Sequence, residues 1–597
     1  MQQNRKIFRF LLFLPLLVPA VLLFSIFFGT NDSRRSNKIV ILYTNDIHTF
    51  INNRDAYDEK SAESLSYSAL AAIKKDLEEQ GAEVILVDAG DHLQGTAFGS
   101  VDKGETIIRL MNAAGYSLAV PGNHEFDYGI QRFFELAELA EFTYISANFY
   151  KTDTGKLLLP TYKIIEKGGK RIAFIGISTP ESITKSTPVY FMDNNGNLLY
   201  NFYNSETKTT LCGSLQNTID SIRGDADYIV ALGHLGIDIS SSPYTSREII
   251  ACTKGLDAFI DGHSHTLLEH EYVRDAAGND VLLTQTGEYF KAAGKMTISE
   301  NGTLTTEIIT GFPITDPKVE KIEQEWITSL KQKFDEKIAV LDTEMFVTDP
   351  KNPEQRMIRN QETNLGDLLA DSYYHYFNEI LQLDCDTAFS NGGGTRNGIK
   401  KGFVSYLSAK TVLPFSDTLC IVEATGQQIK DALENGAIFA GLWDHSKNIP
   451  AESGGFQQVA GMTFEINTSV KSSVQVDENK IWLGPPTGRY KVENIRIYNR
   501  KSRQYEPVDL EKIYRVAAND YTLKNSGDGM AMFKKSKIIR DSVGKDHEIL
   551  VNYLKAFKKG GDGFPHISTE NSPLKSYENY LLNYENPYGS GRIKIKK

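Results

Sequence analysis

Residues 39–48 read Ile39-Val-Ile-Leu-Tyr-Thr44-Asn-Asp46-Ile-His48, an apolar run rich in β-branched and aromatic side chains followed by two polar ones. Such a run, bounded by polar residues, reads as a strand buried on both faces. Residues two apart in extended chain share a face, so Asp46 and His48 leave the strand end on the same side. Four more runs end alike: EVILVDA before Gly90-Asp91, SLAVP before Gly122-Asn123-His124-Glu125, DYIVAL before Gly233-His234, and LDAFID before Gly262-His263-Ser264-His265. Each places polar side chains at the carboxyl edge of a sheet, where α/β folds gather ligands.

Asp46, His48, Asp91, Asn123, His234, His263 and His265 together offer hard oxygen and imidazole nitrogen donors and no cysteine, the ligand menu of a two-metal hydrolase. Gly90 permits the tight turn that aims Asp91, whose two carboxylate oxygens can bridge cations roughly 3.5–4 Å apart. Taken singly, a strand-end aspartate or histidine more often caps a turn than binds a metal. Five such motifs in order point instead to a metal centre. Two cations lower the pKa of a bound water from about 15.7 to about 7, giving a hydroxide that attacks phosphorus without a covalent phosphoenzyme. Asp127, three residues beyond His124, can hydrogen-bond its ring and favour the charged form; the alternative is that Asp127 caps a helix starting near Gly129.

The chain has 597 residues, enough for two large domains, with ordinary apolar and charged fractions. Its net charge of −11 argues against a nucleic-acid polymer as partner, which would require a basic face. A small phosphate can still be held by a few local arginines. The segment 1–35 is basic at Arg5, Lys6 and Arg9, apolar from Phe10 to Phe28, then polar. It reads as an export signal, with an uncleaved signal anchor favoured over a cleaved peptide because no small-residue cleavage site follows clearly. The expected location is therefore periplasmic or cell-surface. Cys212, Cys252, Cys385 and Cys420 fall two in each half, to pair as one bridge per domain in an oxidising compartment or to remain buried thiols.

Strands alternate with helical stretches such as 68–80 and 104–114 through residues 36–315, the α/β pattern. After Pro317, the residues Val319, Ile322, Trp326, Leu330, Phe334, Ile338 and Leu341 step by threes and fours, predicting one long connecting helix over 316–345. A second α/β region covers 346–590, with a helix predicted after Asn364.

The order D-x-H, GD, GNHE, GH, GHSH resembles the calcineurin-like metallophosphoesterases, and the downstream half narrows the resemblance to the 5′-nucleotidase family, over residues 38 to about 584. It implies an N-terminal phosphoesterase domain layered α/β/β/α and a substrate-binding second domain. It implies a first ion on Asp46, His48, Asp91 and His265, and a second on Asp91, Asn123, His234 and His263. The native metal stays open among Zn, Mn, Co and Fe. His124 and Asp127 match the family's catalytic pair, which stabilises the phosphoryl group in flight. Arg359 matches a phosphate-binding arginine, while Glu362 and Asn364 look structural.

In Asn391-Gly-Gly-Gly-Thr-Arg396 the glycines let backbone approach a ligand and Arg396 can fork onto phosphate, although a bare turn also explains the glycines. Phe415 and Tyr521 match rings that clamp a nucleobase, with core packing as the alternative for each. Asp528 matches an aspartate that binds ribose hydroxyls, in a loop reading Ser526-Gly527-Asp528-Gly529, one residue further from the ring than in the family pattern. The implied activity is release of phosphate from nucleoside 5′-monophosphates. Relatives that open 2′,3′-cyclic nucleotides or split nucleotide sugars and dinucleotides share the metal set, and Asp127 stands where the cyclic-nucleotide branch often has asparagine. A non-catalytic surface binding protein is the reading from another class.

Overall fold

The run 39–44 is the central strand of a sheet. The computed structural model describes residues 38–51, 65–193, 195–207 and 209–596; the segment 1–35 lies outside them. Among the described residues no helix is long and apolar enough to cross a membrane. Strands β1 (Ile39–Thr44), β2 (Glu83–Asp88), β3 (Leu118–Ala119) and β4 (Thr143–Tyr144) pair in parallel. Strands β5 (Tyr162–Lys167), β6 (Lys170–Ser178), β7 (Tyr228–His234), β8 (Ala258–Ile260), β9 (Leu267–Arg274) and β10 (Asp280–Thr286) form a second sheet in the order β9-β10-β8-β7-β6-β5. Strands β11 (Ala293–Ile298) and β12 (Leu304–Ile309) return antiparallel to the edge of β1, completing the order β12-β11-β1-β2-β3-β4.

The two sheets pack face to face on Ile41, Val87, Phe174, Val230, Leu232 and Ile260, all buried. Helices α1 (Tyr67–Glu79), α2 (Glu105–Ala114) and α3 (Ile130–Leu139) cover the outer face of the first sheet. Helices α4 (Leu211–Ile222) and α5 (Ser246–Cys252) cover the second. This is the expected α/β/β/α layering, and it brings the carboxyl ends of β1, β2, β3, β7 and β8 to one edge of the sandwich. Cys212 and Cys252 join α4 to α5 as a disulfide. For Cys385 and Cys420 the other alternative holds: both are free, buried thiols in separate core clusters.

The connecting helix is shorter than its periodicity suggested. Helix α6 spans Pro317–Phe334, capped by Asp316, which accepts from the backbone N–H of Lys318 and Val319. Val319, Ile327 and Leu330 pack it onto the core of the first domain. Ile338 and Leu341, which continue the three-four spacing, lie instead in a strand, Lys337–Leu341, paired with Gly402–Ser405 and His566–Ile567. Two strand partners override a local pattern that fits either period. The second domain is built on a five-stranded sheet with Thr387–Asn391 and Ile513–Asn519 at its centre, against which the buried helix α7 (Asn364–His375) packs. Glu362 accepts from the N–H groups of Ser590, Gly591 and Ile593, and Asn364 from that of Phe346, structural roles as read.

Glu323 on α6 is almost fully buried and accepts from Ser68 N and Oγ at the start of α1, at 2.9 and 2.7 Å. Burial pushes its carboxyl from the ordinary 4.5 up to about 7. The folded state then holds this proton more tightly than the unfolded chain does. Stability from it is full below about pH 4.5 and lost as pH rises through about 7, a difference on the order of 3 kcal/mol. Glu323→Gln, neutral throughout, is expected to melt above the wild type at pH 8 and with less pH dependence between 5 and 8. Parallel melting curves for the two proteins across that range would show that Glu323 ionises freely.

Candidate active site

Every sequence-predicted metal ligand sits at the shared sheet edge. Asp46 and His48 follow β1, Asp91 follows β2, Asn123 and His124 follow β3, His234 ends β7, and His263 and His265 follow β8. The backbone there is unusual: φ is +51° at Asp46 and His48, +60° at Asp91, +76° at His263 and +57° at His265. Non-glycine residues reach this left-handed region at a cost of about 1–2 kcal/mol each. The motif glycines make room. A Cβ on Gly122 would lie 2.3 Å from Asp91 Oδ1 and 2.7 Å from His234 Nε2.

Each imidazole has its outer nitrogen fixed. His48 Nδ1 bonds Gln94 O at 2.9 Å, His234 Nδ1 bonds Ala89 O at 2.6 Å, and His263 Nε2 meets Glu181 Oε2 at 3.0 Å. His265 Nδ1 lies 2.6 Å from Glu288 Oε2. The opposite nitrogens therefore turn inward as lone pairs. His48 Nε2 and His265 Nε2 approach to 2.9 Å, beside Asp46 Oδ1 at 3.7 and 3.3 Å. Asp91 Oδ2 lies 3.1 Å from His234 Nε2 and 4.0 Å from His48 Nε2. Donor atoms of Asp46, His48 and His265 converge within 4.8 Å of one another, as do those of Asp91, His234 and His263. Among the described residues, Asp46 Oδ1, Asn123 Oδ1 and His234 Nε2 are buried without hydrogen-bond partners. Converging lone pairs and orphaned oxygens are unfavourable alone and fit a divalent cation centre.

His124 Nδ1 bonds Asp127 Oδ2 at 2.6 Å, and its backbone N–H donates to Asp91 Oδ1 at 2.8 Å. Burial opposes the charged ring, but the carboxylates of Asp127 and Asp91 outweigh it and raise the imidazole's pKa. Asp127 does not cap α3, whose N-cap Gly129 has no side-chain bond. Glu125, quoted in the motif without a role, accepts from the N–H groups of Asp91, His92 and Leu93 and so shapes the loop carrying Asp91. His92 is fully buried between Asp88 and Tyr144. Glu181 and Glu288 were not foreseen: they lie 82 and 23 residues from the histidines they orient, and no local motif marks them.

The sheet edge opens into a cavity of about 540 Å³ that the second domain closes, lined by His124, Arg359, Asn391, Arg396, Phe415, Tyr521 and Asp528 among others. Arg356, Arg359 and Arg396 cluster there, each with a nitrogen that lacks a hydrogen-bond partner among the described residues. Burial, then the charges of Arg356 and Arg396, push Arg359 down to about 10. Such a cluster calls for an anion. Phe415 lies with its ring 5.6 Å from that of His124 and 5.8 Å from Arg396 Cζ. Tyr521 donates to Thr184 O at 2.9 Å and accepts from Asp528 N at 3.0 Å, with Gly527 against its ring. Asp528 Oδ1 is 3.3 Å from Lys185 Nζ of the first domain. Asn391 Oδ1 accepts from Asn519 Nδ2 at 3.0 Å. In the glycine loop the N–H groups of Gly392 and Gly393 donate to Phe456 O and Gly454 O, while Gly393 and Gly394 line the cavity beside Asn391 and Arg396.

Comparison with known proteins agrees with this arrangement. Residues 39–267 match the calcineurin-like phosphoesterase family, and residues 337–535 match the 5′-nucleotidase C-terminal domain. The 5′-nucleotidase of Bos taurus is 26% identical over 566 residues, covering 87% of this chain and 89% of its own. The trifunctional nucleotide phosphoesterase protein YfkN of Bacillus subtilis is 26% identical over 517 residues, 79% of this chain, which spans only 31% of that protein. The crystal structure of a 5′-nucleotidase precursor from Thermus thermophilus shares the fold, with a TM-score of 0.72 at 23% identity over 94% of this chain and 99% of that one. With its phosphoesterase domain, its 5′-nucleotidase C-terminal domain and a metal-ligand cluster facing the cavity between them, the chain belongs to the 5′-nucleotidase family of metal-dependent phosphoester hydrolases.

Proposed function

We propose that this protein is an exported phosphohydrolase that releases phosphate from nucleoside 5′-monophosphates using two divalent ions. The observation that carries the reading is the cavity itself, with metal ligands on one wall, three arginines with unpartnered nitrogens on another, and Phe415 between them. Asp46, His48, Asp91 and His265 would hold one ion, and Asp91, Asn123, His234 and His263 the other. When bound, the ions supply Lewis acidity and an activated water for in-line attack at phosphorus. Arg359 and Arg396 bind the phosphate and orient it. His124, its Nδ1 held by Asp127 at 2.6 Å, presents Nε2–H to the phosphoryl oxygens and the leaving 5′-oxygen. The Cys212–Cys252 disulfide and the apolar segment before residue 36 support export.

The test is phosphate release from a panel of 5′-mononucleotides, 2′,3′-cyclic nucleotides, nucleotide sugars and dinucleotides, with Zn, Mn, Co or Fe added back. Preference for any substrate but the first overturns the reading. Base recognition is separable. Stacking is worth roughly 1–3 kcal/mol per base and tolerates base identity. Phe415→Ala and Tyr521→Ala are expected to lower kcat/KM for several 5′-mononucleotides by about tenfold or more, with an aryl phosphate hardly affected. Tyr521→Phe keeps the ring while losing the bonds to Thr184 and Asp528, and is expected to retain base binding. Equal losses for nucleotide and aryl phosphate in Tyr521→Ala would mean that another aromatic holds the base.

A further inference from the structure

The loop Gly287–Phe290 joins the two halves of the site. It is tied to the end of β1, since Asn45 Nδ2 donates to Gly287 O at 2.8 Å and Tyr289 N to Asp46 O at 2.9 Å. Its outer side meets the second domain, where Arg396 Nε donates to Tyr289 Oη at 3.2 Å. Glu288, its side chain 12% exposed, stands at the junction. Oε2 lies 2.6 Å from His265 Nδ1 and 3.8 Å from Arg356 Nη1, and Oε1 lies 3.5 Å from Lys291 Nζ. Arg356 Nη2 donates to Thr395 O and Arg396 O, while Nη1 has no hydrogen-bond partner among the described residues and Glu288 as its near carboxylate.

We propose that Glu288 is a positioning residue for both domains at once: it fixes the ring of the metal ligand His265 and holds Arg356 of the substrate-binding domain, coupling metal retention to substrate affinity. The proposal rests on the hydrolase reading above for its substrate, but not for its metal readout. A carboxylate on Nδ1 fixes the tautomer that turns Nε2 toward Asp46 Oδ1, 3.3 Å away. An amide of the same shape satisfies that contact less well and gives Arg356 no charge. Coupling arises because one carboxylate serves both partners, so a closed second domain steadies the oxygen that steadies the ligand.

The test uses the full, metal-loaded chain and the variants Glu288→Gln, Glu288→Asp and Arg356→Ala. Bound metal is measured by elemental analysis after equilibration with graded chelator. Removal of a partner that orients a ligand typically costs 10–100-fold in metal affinity. Glu288→Gln is expected to lose one ion at about tenfold lower chelator strength while keeping the other, and Glu288→Asp to fall between it and wild type. With a 5′-mononucleotide, Glu288→Gln and Arg356→Ala are each expected to raise KM several-fold, and the double variant by less than the product. Wild-type chelator resistance in both Glu288 variants would overturn the metal half. A double variant whose KM effects multiply would overturn the coupling. Should mononucleotides not be cleaved at all, the substrate reading fails, while chelator titration still decides the role of Glu288 at His265.

Discussion

Asp91→Asn is expected to abolish turnover, by on the order of 10⁴-fold or more, and to strip metal from the purified protein. The reason is position. Asp91 Oδ2 lies 3.1 Å from His234 Nε2 and 4.0 Å from His48 Nε2, so one oxygen looks toward both ligand groups, while Oδ1 accepts from His124 N at 2.8 Å. An asparagine can present its oxygen either to His124 N–H or to the ions, and its amino group carries no lone pair for the other task. Asp46→Asn removes a donor from the group with His48 and His265, touching the other group only through the backbone N–H of His263 and the ring of His234, and is expected to lose chiefly one ion. Elemental analysis of the two variants decides it. Two ions retained in Asp91→Asn would remove the bridging role.

His124→Asn is expected to lower kcat by about 10²–10³-fold with metals retained. The ring makes no hydrogen bond that holds the core together beyond that to Asp127, and its side chain is 12% exposed to the cavity. Asp127→Asn leaves the imidazole in place and weakens only its orientation and charge, so a smaller loss is expected. The measurement is kcat with metal content determined on the same samples. Loss of metal in His124→Asn would mean that the ring serves as a ligand, since its nitrogen also lies within 4.8 Å of donor atoms of His48 and Asp91.

The sandwich was legible because its strands are buried on both faces and end in polar motifs, so run and punctuation pointed the same way. Local periodicity failed at Ile338 and Leu341, where spacings of three and four continue across a helix end and only pairing with distant strands selects the extended form. Residues that act through another were illegible for a related reason. Glu181 reaches His263 across 82 positions, and Glu288 occupies a loop whose sequence, Gly287-Glu-Tyr-Phe290, follows no ligand motif. The cysteines were undetermined because four residues allow several pairings, and only the packing of α4 on α5 brings Cys212 to Cys252, with Cα atoms 6.0 Å apart. The Asn391–Arg396 glycines serve chain and cavity together, and a close approach looks alike in sequence whether its partner is ligand or chain.

The left-handed backbone at Asp46, His48, Asp91, His263 and His265 bears on how such a protein can be improved or inherited. At each of these positions glycine is the residue that relaxes the chain, and at each it deletes a donor atom. Stability and catalysis are therefore opposed residue by residue along one edge of the sheet. A divalent cation on these donors would bind the folded state alone and offset the strain. On the metal assignment proposed above, the backbone strain at these five residues would be recovered in the metal-bound protein, so apo and metal-loaded protein would differ in stability by more than the ligand bonds alone.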